Sequence, residues 1–328
     1  MNLSTIAKLA EVSVSTVSKA FSGSEEISER TKEKIFEIAR QNGCFEKYFK
    51  HKYDKKVIGV IYPEVLGGSY PVIMELLDRL IRERGGLMVA SATGFSEERR
   101  RELFNYYSTY GNVDGIIVMS SYKGLSSNTG VPFVALFDRG RNDKVDAIQC
   151  DVRASMVEAV KCLKEYGHTR IGFAGEKLTR GRVEDYRYAM KKAGLYIRAS
   201  DIKISNKRFE EAGIESMDSW LEEKDPPTAI LAAYDNIAMG VIKSIRKKGL
   251  RVPEDFSVIG IDDMPLAPYT DTSLSSIRTF REEACRMAVD LLMKKIDNQY
   301  YTSPREMIIA SELVLRDSVG RCMKQEEE

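Results

Sequence analysis

Apolar side chains recur at helical spacing through residues 1–43 and at strand spacing beyond residue 57. Ile6, Leu9 and Ala10 form one short stripe, with Ser4 or Thr5 placed to cap it. Ser13 is placed to cap a second helix whose inner side is Val14, Val17, Ala20 and Phe21. Gly23 ends it, because glycine accepts the left-handed conformation at a helix C-terminus. Ser28 caps a third, in which Arg30 to Gln41 carry Ile35, Phe36, Ile38 and Ala39 inward before Gly43 closes it. Three short helices with a tight first turn predict a helix-turn-helix head.

From Val57 the pattern becomes continuous apolar runs alternating with amphipathic stretches. VIGVIY (57–62), LMVASA (87–92), GIIVMS from Gly115 and FVALF (133–137) read as buried parallel strands. Helices are predicted over 72–84 and from Ser96 to Tyr110. The rhythm then restarts: helix 152–166, strand RIGFAG (170–175), helices 182–193 and 207–223, strand TAILAA (228–233), helix 236–248, strand SVIGI (257–261), and a long helix 282–297. This is α/β architecture with right-handed crossovers. The strands are too many for one modest sheet, so two lobes with a ligand cleft between them are expected.

Composition narrows the class. Hydrophobic content of 43% and charged content of 30% describe a globular chain. No apolar run approaches the ~20 residues that span a bilayer. The opening MNLSTIAKLA lacks the apolar core of a secretory signal, so a cytoplasmic location is expected, with no membrane partner. Five scattered cysteines without C-x-x-C spacing suit reduced thiols and no zinc. Net charge is +1, but residues 1–56 carry +3 and the remainder −2. Lys47, Lys50, Lys52, Lys55 and Lys56 face only Asp54, which suits phosphate contacts, although a solvated linker accounts for that cluster equally well.

The second helix of a helix-turn-helix head lies in the major groove. Its start must be small for close approach, and Ser13, Ser15, Thr16 and Ser18 offer hydroxyls to phosphate oxygens or base edges. Lys19, one turn beyond Ser15, can reach guanine acceptors. In open α/β sheets ligands sit beyond the carboxyl ends of strands. There Asp262 ends SVIGI, Asp235 follows TAILAA, and Arg182 opens a helix after Gly181. Carboxylates beside an arginine suit the hydroxyls of a sugar. Each residue also has a plainer reading: Asp235 an N-cap, Asp262 a turn residue, Arg182 an exposed helix-end charge. His168 reads as structural, since the other histidine, His51, lies in the linker. No nucleophile elbow, phosphate loop or calcium loop appears, so no catalytic residue, metal or cofactor is expected and the chain does not read as an enzyme.

The stretch IAKLAEVSVSTVSKAFSGSEEISERTKEKI resembles the heads of the LacI/GalR family of bacterial transcription regulators. YGHTRIGFAG, RVEDYRYAM, AAYDNIAMGVIKSIRKKGLRVPEDFSVIGIDD and LSSIRTF resemble that family's core signatures. The resemblance implies an α/β fold class: a small all-α helix-turn-helix head plus a two-lobed, periplasmic-binding-protein-like core of parallel sheets flanked by helices. The head is placed at 1–46, a basic linker or hinge at 47–56 and the core at 57–328. Crossovers near Gly167, Thr279 and Pro304 give an N-lobe of about 57–167 and 280–304, and a C-lobe of about 168–279 and 305–318. The resemblance also implies that Val14, Ser15 and Lys19 read bases, while Ser13, Thr16, Ser18 and Ser22 touch the backbone or cap. It assigns effector contacts to Arg182, Asp235 and Asp262, with Tyr70 and Phe209 as cleft aromatics; a register one residue off puts Arg208 in place of Phe209. Asp138 and Arg139 either line the cleft or pair internally.

Four departures stand out. Glu11 replaces a turn glycine and is strained if its φ is positive. The linker lacks the family's Pro-Asn pair and the hinge helix whose leucine enters the minor groove; Tyr48 and Phe49 are alternative wedges, and a flexible tether is the other reading. GGSYP stands where Asn-Pro-Phe-Phe is usual, and Val152 follows Asp151 where Asn is usual.

The function expected is a homodimeric, sequence-specific regulator, a repressor, binding a near-palindromic operator in double-stranded DNA. A small effector, sugar-like, would act through the cleft. Dimer contacts are placed on the helices after Pro71 and near Arg281, with Val72, Ile73, Leu76 and Leu77 as the apolar face. A solute-binding protein serving a transporter, or a regulator answering to a protein partner, are the alternatives.

Overall fold

The computed structural model describes residues 1–48, 54–66, 69–125, 130–137, 145–298 and 305–322. The chain divides into two compact units, Met1–Lys56 and Val57–Glu328.

In the first unit, α1 (Leu3–Ala10) is capped by Asn2, whose Oδ1 accepts from the Thr5 amide at 2.9 Å; the cap lies just upstream of the expected Ser4 or Thr5. Ser13 caps α2 (Val14–Phe21) by accepting from the Thr16 amide at 3.0 Å. Ser28 caps α3 (Glu29–Gln41) through the Thr31 amide at 3.2 Å. Ile6, Ala10, Val17, Ala20, Phe21, Ile35 and Ala39 form the shared core. A short turn, α4 (Phe45–Tyr48), was not foreseen. It lays Phe45 against Phe36 (5.3 Å, edge-on) and Tyr48 against Phe21 (5.7 Å), and the Tyr48 hydroxyl donates to the Met1 carbonyl at 2.9 Å. Tyr48 is therefore bound into the head and is not a free wedge, a correction to the linker reading. Phe49, the other candidate wedge, lies outside the described residues.

In the second unit the elements run β1 (Lys56–Tyr62), α5 (Tyr70–Glu83), β2 (Gly86–Ala92), α6 (Glu97–Thr109), β3 (Gly115–Met119), β4 (Phe133–Leu136), β5 (Ala147–Asp151), α7 (Arg153–Glu165), β6 (Ile171–Glu176), α8 (Arg180–Ala193), β7 (Ile202–Ser205), α9 (Phe209–Leu221), β8 (Ala229–Ala232), α10 (Asp235–Lys247), β9 (Ser257–Asp262), β10 (Ser275–Arg278), α11 (Arg281–Ile296), β11 (Glu306–Ala310) and β12 (Glu312–Val314). They build two sheets, ordered β11-β5-β4-β3-β1-β2 and β12-β10-β9-β8-β6-β7. Apart from the antiparallel β10–β12 pair, the registered pairings are parallel. The two sheets repeat one winding, in which the order reverses beside β1 in the first and beside β6 in the second. Such switch points open a crevice at the carboxyl ends of the strands.

Each lobe has its own apolar interior. Leu77, Leu80, Ile117, Val134, Ile148, Ala288 and Leu292 fill part of one. Met156, Val160, Phe173, Tyr186, Trp220, Ile230, Val241 and Ile259 fill the other. Gly213 and Gly240 let α9 and α10 meet backbone to backbone; a Cβ on either would run into a carbonyl oxygen of the facing helix.

Two expected crossovers move. Helix α7 buries Met156, Ala159, Val160 and Leu163 in the second lobe's core, so the chain changes lobe between Asp151 and Arg153 and not near Gly167. Strand β11 pairs with β5 in the first sheet while β12 pairs with β10 in the second. The last crossover is thus Ser311, whose hydroxyl bonds the Asp151 carbonyl and the Ser155 hydroxyl at 2.8 Å each. Pro304, the expected crossover, lies outside the described residues. Thr279 and Phe280 link β10 of the second sheet to α11, which packs in the first lobe's core.

Candidate functional site

The head offers one exposed arc on α2. Val14 is 45% exposed although it was counted on the inner side, and Ser15, Ser18 and Lys19 are exposed with it. The other hydroxyls are already engaged. Ser13 Oγ lies 2.7 Å from Ser15 Oγ and 2.8 Å from Thr16 Oγ1, and Ser22 Oγ donates to the Lys19 carbonyl at 3.0 Å. Ser13, Thr16 and Ser22 therefore fix the ends of α2, while Val14, Ser15, Ser18 and Lys19 form its outward face. Lys19 is ion-paired with Glu26, which holds the Glu26 carboxyl below its ordinary range; the sequence reading missed this partner. The turn before α2 passes through Glu11 at φ 59° and ψ 41°, the left-handed conformation suspected there.

The core holds a cavity of about 310 Å³ at the switch points of both sheets. Its wall draws Glu64 from beyond β1, Glu176 from the end of β6, Tyr234 from beyond β8, Asp262 from the end of β9, and Thr279 from beyond β10. Tyr70, Arg182, Phe209 and Asp262, four of the five residues expected at an effector, are brought together on this wall. Arg182 Nη2 stands 3.5 Å from Asp262 Oδ1, and its Nη1 donates to the Ala233 carbonyl. Tyr70 packs edge-on to Phe95 at 6.4 Å, and burial pushes its phenol upward in pKa.

Asp235 is the exception. It is fully buried and off the cavity wall. Its carboxylate accepts from Ser276 Oγ at 2.6 Å and from the Met264 amide at 2.7 Å, tying α10 to the loop after Asp262. Burial raises its pKa to about 7. It secures the segment that presents Asp262 and does not itself reach the cavity. Asp138 and Arg139 lie outside the described residues.

Both residues of the ambiguous register, Arg208 and Phe209, line the cavity, with the guanidinium over the Phe209 ring at 4.4 Å and over Phe95 at 5.3 Å. Arg208 bonds both oxygens of Glu64 at 2.9 and 2.7 Å, and its Nε meets both oxygens of Glu176 at 3.0 and 3.1 Å. These bonds raise the Arg208 pKa, that to Glu64 most. Four wall residues other than glycine hold positive φ: Phe95 (63°), Phe137 (62°), Phe209 (52°) and Asp262 (110°). Bulky residues are costly there, and such strain gathers at binding sites.

His168 is structural, buried with Nδ1 2.9 Å from Thr228 Oγ1 and Nε2 2.9 Å from Ser257 Oγ. No cluster of three potential metal ligands occurs among the described residues, and no helix there is long and apolar enough to cross a membrane.

Residues 2–43 match the bacterial regulatory proteins of the lacI family, and residues 160–319 match a periplasmic binding protein-like domain. The chain is 30% identical to the probable HTH-type transcriptional repressor ExuR of Bacillus subtilis, over 96% of this chain and 97% of that one. The chain belongs to the LacI family of bacterial regulatory proteins. The HTH-type transcriptional repressor CytR of Escherichia coli is 26% identical over 95% of this chain and 94% of its own length. Among solved structures, the Escherichia coli transcriptional repressor ascG superposes with a TM-score of 0.71 at 25% identity, covering 81% of this chain and all (100%) of that one. Glu64, Phe95, Glu176 and Arg281 of this cleft were not foreseen. Glu64 and Phe95 stand in loops, Glu176 is the last residue of β6 and Arg281 the first of α11, and no periodicity marks such positions.

Proposed function

We propose that this protein is a dimeric transcriptional repressor whose hold on a near-palindromic operator is set by a small polyhydroxylated effector in the cleft. Val14, Ser15, Ser18 and Lys19 supply the base-facing and phosphate-facing contacts from α2, with Ser13, Thr16 and Ser22 holding its ends. Tyr70, Arg182, Phe209 and Asp262 supply ring faces and hydrogen bonds to the effector.

One observation carries the reading: Arg208, on the cavity wall, joins Glu64 of one lobe to Glu176 of the other. An occupant that reorders this bridge has a different affinity for different lobe arrangements, which is the requirement for ligand control. For the dimer, Ile73 and Leu77 are buried inside the first lobe, leaving half-buried Val72 and Leu76 of the four, beside Pro71 and Met74, on the α5 surface. Footprinting of bound DNA with the purified full-length chain tests the proposal. A protected near-palindrome whose occupancy shifts with a cleft ligand is expected; absence of any preferred sequence at low salt rejects it.

A further inference from the structure

Four guanidiniums, of Arg182, Arg278, Arg281 and Arg316, stand against three carboxylates, of Asp262, Asp263 and Glu312, so the hinge end of the cleft carries one more positive charge than it pairs. Arg182 and Arg281 both approach Asp262 Oδ1, at 3.5 and 3.9 Å. Neighbouring Asp263 is already taken by Arg278 and Arg316, at 2.7 Å each. The Arg281 side chain is only 10% exposed. Its Nη2 reaches the Asp263 carbonyl at 3.4 Å, while Nη1 is buried and makes no hydrogen bond. Thr279 Oγ1, two residues upstream, is likewise buried without a partner. Both side chains line the cavity. Orphaned buried donors are rare and costly, and a guanidinium arm more so than a neutral one.

The far end has the opposite balance. There Glu64 and Glu176 share the single guanidinium of Arg208, and their hydrogen bonds are made. A neutral polyol would leave the hinge end as unbalanced as before. Cys150, on the same wall, adds no competing charge, because burial pushes its thiol up to about 11.

Building on the effector reading above, we propose that the cleft takes a small polyhydroxylated carboxylic acid, with Arg281 Nη1 and Thr279 Oγ1 holding the two carboxylate oxygens. At the hinge end two unpartnered donors match two oxygens, the third on the wall, Tyr234 Oη, standing beside Glu176 and Arg208, and one surplus positive charge matches one negative charge. A phosphate monoester would bring a third oxygen and up to twice the charge beside Asp262.

The test is titration calorimetry on the full-length protein with D-glucuronate, D-galacturonate and D-gluconate, each against D-glucose, D-galactose or sorbitol, and with glucose 6-phosphate. At least one acid binds about tenfold or more tightly than its neutral counterpart, a difference of ~1.4 kcal/mol. Arg281→Met brings that ratio close to one, and Arg281→Lys restores part of it. Thr279→Val, which removes only a hydroxyl, lowers the ratio too and decides the matter if Arg281→Met does not fold. A neutral sugar that binds as tightly as its acid, insensitive to Arg281→Met but lost in Arg182→Met, overturns the acid subsite and leaves the effector cleft standing. Preference for glucose 6-phosphate also overturns it. No heat with any compound overturns both this inference and the effector reading.

Discussion

Arg208 and Glu64 belong to different lobes, yet two hydrogen bonds of 2.9 and 2.7 Å join the guanidinium to both carboxylate oxygens. Glu176 and the rings of Phe95 and Phe209 hold the same guanidinium from its other sides. A planar fork fixed this way has one orientation, which sets the spacing of the two lobes where it bridges them. Glu64→Gln should loosen that spacing. The expected signs are a larger radius of gyration by small-angle scattering and faster amide exchange over Tyr62–Leu66, with a stability loss of only about 1 kcal/mol because the pair is partly exposed. Unchanged scattering and exchange would show that the lobes are spaced by other contacts.

The ion pair of Lys19 with Glu26 makes a second, opposed pair of predictions. Lys19→Ala should weaken operator binding by about 1–3 kcal/mol if the lysine contacts a guanine. Glu26→Gln should strengthen it several-fold by releasing Lys19 and removing a negative charge near phosphate. Fluorescence anisotropy with a footprinted operator at fixed salt measures both. Equal, small effects would place Lys19 away from the DNA.

Much of this was legible in the sequence, and the gaps have physical causes. Ser13 and Ser28 with the apolar stripes behind them specify α2 and α3, because cap and stripe agree. The unbroken apolar runs specify β1, β3, β6, β8 and β9. Strands β5, β7, β10, β11 and β12 escaped notice because polar residues such as Gln149, Lys203, Ser275 and Glu306 interrupt their apolar pattern. Arg182 and Asp262 could be placed because strand ends locate the crevice. Asp235 misled because a carboxylate at a strand end has the same spacing whether it faces a cavity or, as here, Ser276. Glu64 and Arg208 meet across 144 residues of sequence, which no local pattern encodes.

The left-handed Glu11 lets a stability prediction isolate backbone strain. At φ near 60° a non-glycine residue is strained by about 1–2 kcal/mol, of which glycine's greater freedom in the unfolded chain offsets about 0.5–1 kcal/mol. The carboxylate's one ion-pair partner here, Lys34 at 3.7 Å, is exposed and offsets little. Glu11→Gly should therefore stabilise the head by about 0.5–1 kcal/mol, read as slower amide exchange in α1 and α2 of the full chain. Glu11→Val, β-branched in the same conformation, should speed that exchange.

Asp235 and His168 pull the pH dependence of the core in opposite directions. Asp235 has its pKa raised by burial from 3.8 to about 7, so the folded state keeps a proton that the unfolded state loses. Its effect on stability is least harmful below 3.8 and worsens as pH rises through about 7. His168 has its pKa lowered from 6.5, chiefly by burial, so the folded state resists a proton that the unfolded state accepts. Its contribution is complete above 6.5 and is lost as pH falls below it. Asp235→Asn can keep both bonds, its amide donating to Ser276 Oγ and its carbonyl accepting from the Met264 amide. Denaturant midpoints measured from pH 4 to 8 should then rise more steeply with pH in Asp235→Asn than in the native chain, and less steeply in His168→Gln. Because Asp235 lies off the cavity wall, Asp235→Asn should also keep ligand affinity within about threefold, whereas Asp262→Asn, at the wall between two arginines, should lower it at least tenfold, ~1.4 kcal/mol. A large affinity loss in Asp235→Asn with its midpoint preserved would mean that the carboxylate turns into the cavity when the ligand binds.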